Sequence, residues 1–370
     1  MAAYLDHNAT TPVRPQAARA VADALGIVGN PSSVHGAGRA ARRLLEESRE
    51  AVAGSCKAAP AGVIFTSGGS EANALALTGL GRKTIIASAV EHPSVLKAAQ
   101  CHVLPVTADG LVEPQILERQ LANLGGRDAL VTVMLANNET GIIQPIAELA
   151  RIAHAHGALV HCDAIQAGGK LELDIAALGV DSLSLSAHKL GGPQGVGALV
   201  LADPDQEVSP LIKGGGQERG HRSGTENLSG IAGFAAALRE LANQDPQRMA
   251  VLRDGLEEEL LKALPGVTIF GRGVDRLANT SCLAFPGLTA QTAVMALDLA
   301  GVMISAGSAC SSGKVAPSHV LAAMGAADLA GSAIRVSLGW TSTPKDVEAF
   351  VEAFVPLAQR HEIQDAASAA

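Results

Sequence analysis

The chain has 370 residues, more than the ~100–200 of one ordinary domain, which leaves room for two domains or for one large α/β body with an appendage. Apolar residues make up 48% and charged ones 17%, a composition that excludes intrinsic disorder and coiled-coil architecture. With 28 Lys+Arg against 36 Asp+Glu the net charge is −8, no basic run is long enough to track a phosphate backbone, and aromatics at 2% supply no rings for stacking bases, so no nucleic-acid partner is expected.

The N-terminus, MAAYLDHNATTP, has no basic segment followed by an apolar stretch, so no signal peptide is expected. From about Gly62 to Leu201, short β-branched runs alternate with stretches such as Pro145–His156 that are apolar at helical spacing. The predicted strands are Val63–Ser67, Thr84–Ser88, His102–Val106, Ala129–Leu135, Ala158–Asp163, Ser182–Ser186 and Gly197–Leu201. Such alternation predicts an α/β fold with a mostly parallel, seven-stranded sheet covered by helices on both faces. Beyond LIKGGGQERGHRSGTEN the pattern changes. Helices are predicted over about Leu228–Asn243 and Pro246–Leu264, then strand-like VTIFG and TSCLAFPG, a helix over Ala290–Leu299, strand-like AIRVSL and a last helix after Pro344. This mixture predicts a smaller α+β domain made of residues 1–15 and 245–370, packed with a large α/β domain over 16–244. The best apolar run, around Ala293 to Ile304, is interrupted by Asp298 and falls short of the ~18 residues of a membrane span. A soluble, cytoplasmic protein with no membrane contact is the expectation. Five cysteines (Cys56, Cys101, Cys162, Cys282, Cys310) are widely spaced, without a C-x-x-C pair, so neither a disulfide framework nor a metal site is expected and one of them is free to be a working thiol.

In open α/β sheets ligands collect beyond the carboxyl ends of the strands, so the residues that follow each strand carry the functional signal. After the first predicted strand, Ser67-Gly68-Gly69-Ser70-Glu71 opens a helix, and glycines at a helix N-terminus suit a bound phosphate. The string is neither G-x-G-x-x-G nor G-x-x-x-x-G-K-[ST]. Asp163 ends a buried strand, where a carboxylate is costly unless it meets a cation. The next strand ends in Ser186-Ala187-His188-Lys189 before a glycine-rich turn, a position that favours an inward amine. An anion cup, an acid and an amine at strand ends are together what pyridoxal phosphate needs for its phosphate, its pyridinium nitrogen and its aldehyde.

At this point the sequence resembles the cysteine desulfurases, the NifS/IscS-like branch of the class V aminotransferase family with pyridoxal-phosphate fold type I. The matching strings run from Tyr4 to about Thr343: YLDHNATTP, NPSSVHG, FTSGGSEAN, EHPSV, NNETG, HCDAIQ, SAHKLGGPQGVGAL, GGGQERGHRSGTEN, SAGSACSS and IRVSLG. The resemblance implies that Lys189 bonds the cofactor's aldehyde and later moves the substrate's Cα proton. It implies that Asp163 holds the ring nitrogen protonated, that Gln166 hydrogen-bonds the phenolic oxygen and that His92 stacks on the ring and serves as acid or base. Gly69, Ser70, Ser186 and His188 would hold the phosphate, with Thr225 reaching it from the other subunit of a homodimer. Arg335 would grip the carboxylate of L-cysteine, assisted by Asn138, which also borders the cofactor. Cys310, in a run of small residues with little helix or strand preference, would take the substrate's sulfur as a persulfide and leave alanine. The sulfur would pass to an acceptor, such as an iron–sulfur scaffold protein. His35, Arg219 and Arg222 match family positions without individual duties.

Two departures stand out. Ser70 replaces a frequent Thr, and Trp340 stands where family members often carry Arg. The chain also ends soon after its last predicted helix, where scaffold-docking members have a longer tail, so the acceptor is left open. Alternatives at this stage are another class V activity (selenocysteine lyase or aminotransferase) or a non-catalytic sulfur-relay protein of the same fold. The first lacks support because SAGSACSSGKVAPS is not the Arg-x-Gly-x-His-Cys-like pattern of the lyases, and an aminotransferase needs no loop thiol. Intact Lys189, Asp163 and Cys310 count against the relay protein.

Overall fold

Short, largely apolar runs of two to five residues build the β-structure. A computed structural model describes residues 2–241, 245–307 and 316–369, with the side chains of 246 and 362–369 excepted; Cys310 lies outside the described residues. The strands are β1 (Ala3–Tyr4), β2 (Val63–Thr66), β3 (Thr84–Ser88), β4 (Cys101–Leu104), β5 (Ala129–Thr132), β6 (Leu159–Asp163), β7 (Ser182–Ser186), β8 (Gly197–Leu201), β9 (Thr268–Phe270), β10 (Thr280–Ala284), β11 (Val302–Met303), β12 (Ser305–Ala306) and β13 (Ala333–Ser337). The large sheet has seven strands in the order β2-β8-β7-β6-β5-β3-β4. Its neighbours from β7 through β4 are parallel, and β8 runs antiparallel to both β2 and β7. The mostly parallel seven-stranded sheet expected from the sequence is therefore present. The fifth strand is shorter than expected. Beyond Thr132 the backbone still donates to β6, from Val133 to the His161 carbonyl and from Leu135 to the Asp163 carbonyl, but outside a regular ladder.

Both faces of the large sheet are buried, as the near-continuous apolar strands require. Alternation along β2 sends Val63 and Phe65 into one core and Ile64 into the other, and β8 divides Val200 and Leu199 in the same way. A second, four-stranded sheet, β12-β13-β10-β9, is antiparallel throughout. Its core joins Leu5, Leu283 and Val336 to helices Pro246–Ala263 and Pro344–Ala369, with Phe350 and Phe354 stacked at 5.3 Å. The N-terminus belongs to this second body, because β1 pairs with β11. The chain then crosses to the large sheet through Asn8 and Ala9, and that crossing runs along the functional site.

Two close approaches position the site. Glu218, buried, accepts from Arg49 Nη1 at 2.7 Å and Nη2 at 2.9 Å and from the Phe65 amide at 2.9 Å, which fixes the 214–225 loop against β2. Glu218 and its neighbour Arg219 hold left-handed φ angles of 46° and 56°, a conformation costly for side-chain-bearing residues and tolerated where the surroundings over-determine it. Gly197, at the start of β8, passes the Gly68 turn so tightly that a Cβ there would lie 2.6 Å from the Leu185 carbonyl oxygen and 2.7 Å from the Gly68 carbonyl carbon.

Trp340 donates its indole N–H to the Pro12 carbonyl at 3.0 Å, and the Arg14 guanidinium lies 5.3 Å from the ring centroid. The thiols of Cys56, Cys162 and Cys282 are buried and free and that of Cys101 is half-buried; burial pushes the Cys56 thiol up to about 11 and raises the others too. Among the described residues no helix is long and apolar enough to cross a membrane.

Because the atoms crowding Gly197 are backbone, no rotamer change relieves them. Gly197→Ala is expected to lower the free energy of unfolding by about 1–3 kcal/mol, the usual cost of overpacking, as read by denaturant melts. A variant as stable as the parent would show that β8 does not press on the Gly68 turn.

Candidate active site

The carboxyl ends of β2, β6 and β7 open on one cavity of about 400 Å³. Its wall includes Gly69, Ser70, His92, Asn138, Asp163, Gln166, Ser186, His188, Lys189 and Arg335, so ten residues singled out in the sequence come together. They lie up to 266 positions apart, from Gly69 to Arg335.

The turn after β2 leads straight into helix Gly69–Gly79, whose N-terminus faces the cavity with Gly69 and Ser70. A Cβ on Gly69 would sit 2.1 Å from Ile165 Cδ1, so glycine there lets the helix N-terminus and the turn after β6 close on the same space. The Ser67 amide donates to Glu71 Oε2 at 2.8 Å, and Glu71 is held in turn by Arg222 Nε at 2.9 Å. Ser186 and His188 border the same end of the cavity, and His188 Nδ1 lies 3.2 Å from Thr10 Oγ1. Burial, and then the neighbouring Lys189, pushes the His188 imidazole down to about 4, so it is neutral near pH 7.

Asp163 ends β6 almost fully buried. Its Oδ1 accepts from the Ile165 amide at 3.0 Å and its Oδ2 from Asn73 Nδ2 at 2.7 Å. Burial pushes the carboxyl above its usual range, while those two hydrogen bonds, His92 and Lys189 pull it back. A second buried carboxyl, Glu91, has less support: Oε1 accepts from the Met134 amide at 2.7 Å, and Oε2 has no partner among the described residues. Burial and the nearby Asp163 raise Glu91 well above the carboxylate range, and among the described residues Glu91 has one donor to hold a charge where Asp163 has two.

Lys189 follows β7 in a short 3₁₀ turn and aims its amine inward, donating to the backbone carbonyls of Asn8 at 2.5 Å and Ala9 at 2.8 Å. Burial, reinforced by Arg335, pushes this amine down to about 8. His92 caps helix Pro93–Leu96 by accepting at Nδ1 from the Ser94 amide at 3.1 Å, and burial lowers its pKa. Gln166 donates from Nε2 to the Asn8 carbonyl at 2.9 Å. Arg335 is held by Asp6 Oδ1 at 2.7 Å and by the Asn138 carbonyl at 2.9 Å, and its buried Nε has no partner among the described residues.

This donor set fits pyridoxal phosphate. Asp163 is a buried carboxyl in want of a cation, Lys189 an amine brought close to its neutral form, the helix N-terminus with two hydroxyls an anion site, and the guanidinium of Arg335 a group for a carboxylate. Other predicted residues lie elsewhere. Thr225 is exposed and outside the cavity of its own chain. His35 caps helix Gly36–Ser55, accepting from the Gly38 amide at 3.2 Å, and Arg219 donates to the Val63 carbonyl at 2.9 Å.

Sequence reasoning missed Asn8, Asn73 and Lys170. Asn73 joins Asp163 to His161 Nε2 at 3.1 Å and Ser184 Oγ at 2.6 Å through its carbonyl oxygen. A signal existed: His161 and Asp163 on β6, and Ser182, Ser184 and Ser186 on β7, put polar groups at every second position of otherwise apolar strands, which marks one polar face.

A family profile described as Aminotransferase class-V matches residues 3–350. The chain is 42% identical to a cysteine desulfurase of Cereibacter sphaeroides, over 96% of this chain and 95% of that protein. It is 43% identical to an IscS-like cysteine desulfurase of Mycobacterium tuberculosis, over 95% and 94%. The solved structure of a NifS-like protein from Rickettsia africae superposes with a TM-score of 0.90 at 36% identity, over 97% of this chain and all of that one. Both the lysine-and-carboxylate cavity and these matches lead to one conclusion: the chain belongs to the class-V aminotransferase family of pyridoxal-phosphate enzymes.

Proposed function

We propose that this chain is a pyridoxal-phosphate-dependent cysteine desulfurase, which moves the sulfur of L-cysteine onto Cys310 and leaves L-alanine. The observation that carries the reading is the single cavity in which Lys189, held down to about 8, shares space with the buried Asp163 and the half-satisfied Arg335. The names of the relatives agree with it.

Bound in this cavity, the cofactor would supply an electron sink for breaking the Cα–H bond and, later, the Cβ–S bond. Gly69, Ser70, Ser186 and His188 hold its phosphate, with Thr225 of a second copy completing that site in a homodimer. Asp163 keeps a proton on the ring nitrogen, Gln166 donates to the phenolic oxygen, and His92 covers one ring face. Arg335 binds the substrate carboxylate with its guanidinium, and Asn138 steadies it from the carbonyl that already touches Nη1. Lys189 takes the proton from Cα as a neutral amine. The Cys310 thiolate then attacks the substrate sulfur: an S–S bond forms, the Cβ–S bond breaks, its electron pair passes to Cβ, a proton taken up there completes the methyl group, and a proton returned to Cα from Lys189 completes alanine. The persulfide on Cys310 is passed to an acceptor protein for iron–sulfur cluster or other thio-cofactor assembly in the cytoplasm. Residues 16–244 form the domain that holds the cofactor, and 1–15 with 245–370 the domain that brings Arg335 to it.

Incubated with L-cysteine and a reductant, the holoenzyme is expected to release alanine and sulfide in equal amounts. Cys310→Ser should keep the yellow colour of the bound cofactor and lose sulfide release, and Lys189→Ala should lose the covalent adduct that borohydride traps. Full sulfide release by Cys310→Ser would remove that thiol from the reaction. The pH dependence of reconstitution gives an independent check. Only the neutral amine attacks an aldehyde, and Lys189 loses its proton near 8 instead of 10.5. The rate at which apoenzyme captures the cofactor should therefore rise about tenfold per pH unit below that value and level off above it, as followed by visible absorbance. A rate still climbing steeply toward the pKa of an ordinary lysine would contradict the burial of this amine.

A further inference from the structure

Lys170 places a second amine beside the cavity, four residues beyond Gln166, and has no part in the reaction described above. Its Nζ donates to Gln166 Oε1 at 2.8 Å and to Asn8 Oδ1 at 2.9 Å. Asn8 is itself immobilised. Its amide donates to Ser337 Oγ at 2.9 Å and its Nδ2 to Thr280 Oγ1 at 2.9 Å, while its Oδ1 also accepts from Asn279 Nδ2 at 3.1 Å. Lys170 therefore ties Gln166, beyond the end of β6, to a frame built from β10, β13 and the residue next to β10.

The carboxamide of Gln166 is held at both ends. Nε2 faces the Asn8 backbone carbonyl, which can only accept, and Oε1 faces an amine that donates. Turning the amide over would set oxygen against oxygen at one end and lose a donor's partner at the other. The second N–H on Nε2 is left for the cavity that Gln166 lines. Burial, then Lys189 and Arg335, push the Lys170 amine well below its usual range, but the lock survives loss of the charge, since a neutral amine retains two N–H bonds for two carbonyls.

We propose that Lys170 is a positioning residue that locks the Gln166 carboxamide so that an N–H, and never the carbonyl oxygen, meets the phenolic oxygen of pyridoxal phosphate. This rests on the cofactor reading given above. An N–H donated to the phenolic oxygen makes that oxygen less basic, and the cofactor–Lys189 adduct then gives up its proton at a lower pH. Without Lys170 the amide is free to turn, the donation is partly lost, and the adduct keeps its proton to higher pH. The charged and titratable groups near this point include Lys189, Arg335, Asp163, His92, His188 and Asp6, and also His7, whose imidazole burial, helped by the Lys170 amine, pushes down to about 4.

The test is a pH titration of the visible absorption band of substrate-free holoenzyme. In Lys170→Met the midpoint is expected to rise by about one unit, whereas Lys170→Arg, which keeps the donors, should return it close to the wild-type value. In a Gln166→Ala background, Lys170→Met should add no further shift, because the lock has nothing left to hold. A Lys170→Met midpoint equal to wild type would overturn the proposal. So would an undiminished shift in the Gln166→Ala background, which would make Lys170 a charge acting through space. Should Lys170→Met fail to fold, Lys170→Ala is read against the same two outcomes. A wild-type holoenzyme with no visible band would defeat the cofactor reading itself and this inference with it, whereas a normal wild-type band with an unmoved variant defeats only the inference.

Discussion

An amine and a carboxyl are carried to the ends of adjacent parallel strands inside a protein whose sheet is covered on both faces, and neither is given full access to water. Burial disfavours charge on both. It pushes Lys189 down to about 8 and pushes Asp163 up, so each approaches neutrality unless the other, or a ligand, holds its charge in place. A pyridinium ring between them would relieve both strains together: it offers Asp163 a cation and takes Lys189 as a bond. The rest of the site is arranged around keeping those two groups at that spacing and dry.

The spacing is set by a crossing of the chain. Residues 2–9 start in the second body, where β1 joins β11, and end on the large sheet, where the carbonyls of Asn8 and Ala9 receive the Lys189 amine. Asn8 also binds residues of β10 and β13. One asparagine therefore reports the position of the small sheet to the amine on the large one. Arg335, from β13, reaches the same cavity and is aimed by Asp6 on that crossing. Any shift of the small sheet would move the carboxylate-binding guanidinium and the lysine's acceptors together.

Beneath the cavity lies a layer of polar groups in a sheet that is otherwise apolar. Asn73, His161 and Ser184 satisfy one another and Asp163, as buried polar groups must if the fold is to tolerate them. Burial pushes His161 down to about 3, so it takes part as a neutral hydrogen-bonding ring and not as a cation. Two buried polar atoms near the cavity are left without partners among the described residues: Nε of the wall residue Arg335, and Oε2 of Glu91, which precedes the wall residue His92.

Much of this was legible without coordinates, because it depends on local pattern. The period of two in SLSLS, the glycine pair before SEAN and the small residues after Lys189 each act over a few positions, and the strands, the helix N-terminus and the inward lysine follow from them. The roles of Asn8, Asn73 and Lys170 were hidden for the opposite reason. Asn8 and Asn73 lie inside motif strings, but the contacts that give all three their roles come from partners up to 329 positions away, such as Ser337 for Asn8. The sequence by itself determined the kind of fold and the set of chemical groups it could bring to bear, since propensity and alternation are short-range. Only the tertiary structure decided which of two buried carboxyls has more donors around it, which way an amide faces and which of two lysines faces the carbonyls of the crossing. Those outcomes depend on burial and on hydrogen bonds between segments, and neither exists until the two sheets have packed.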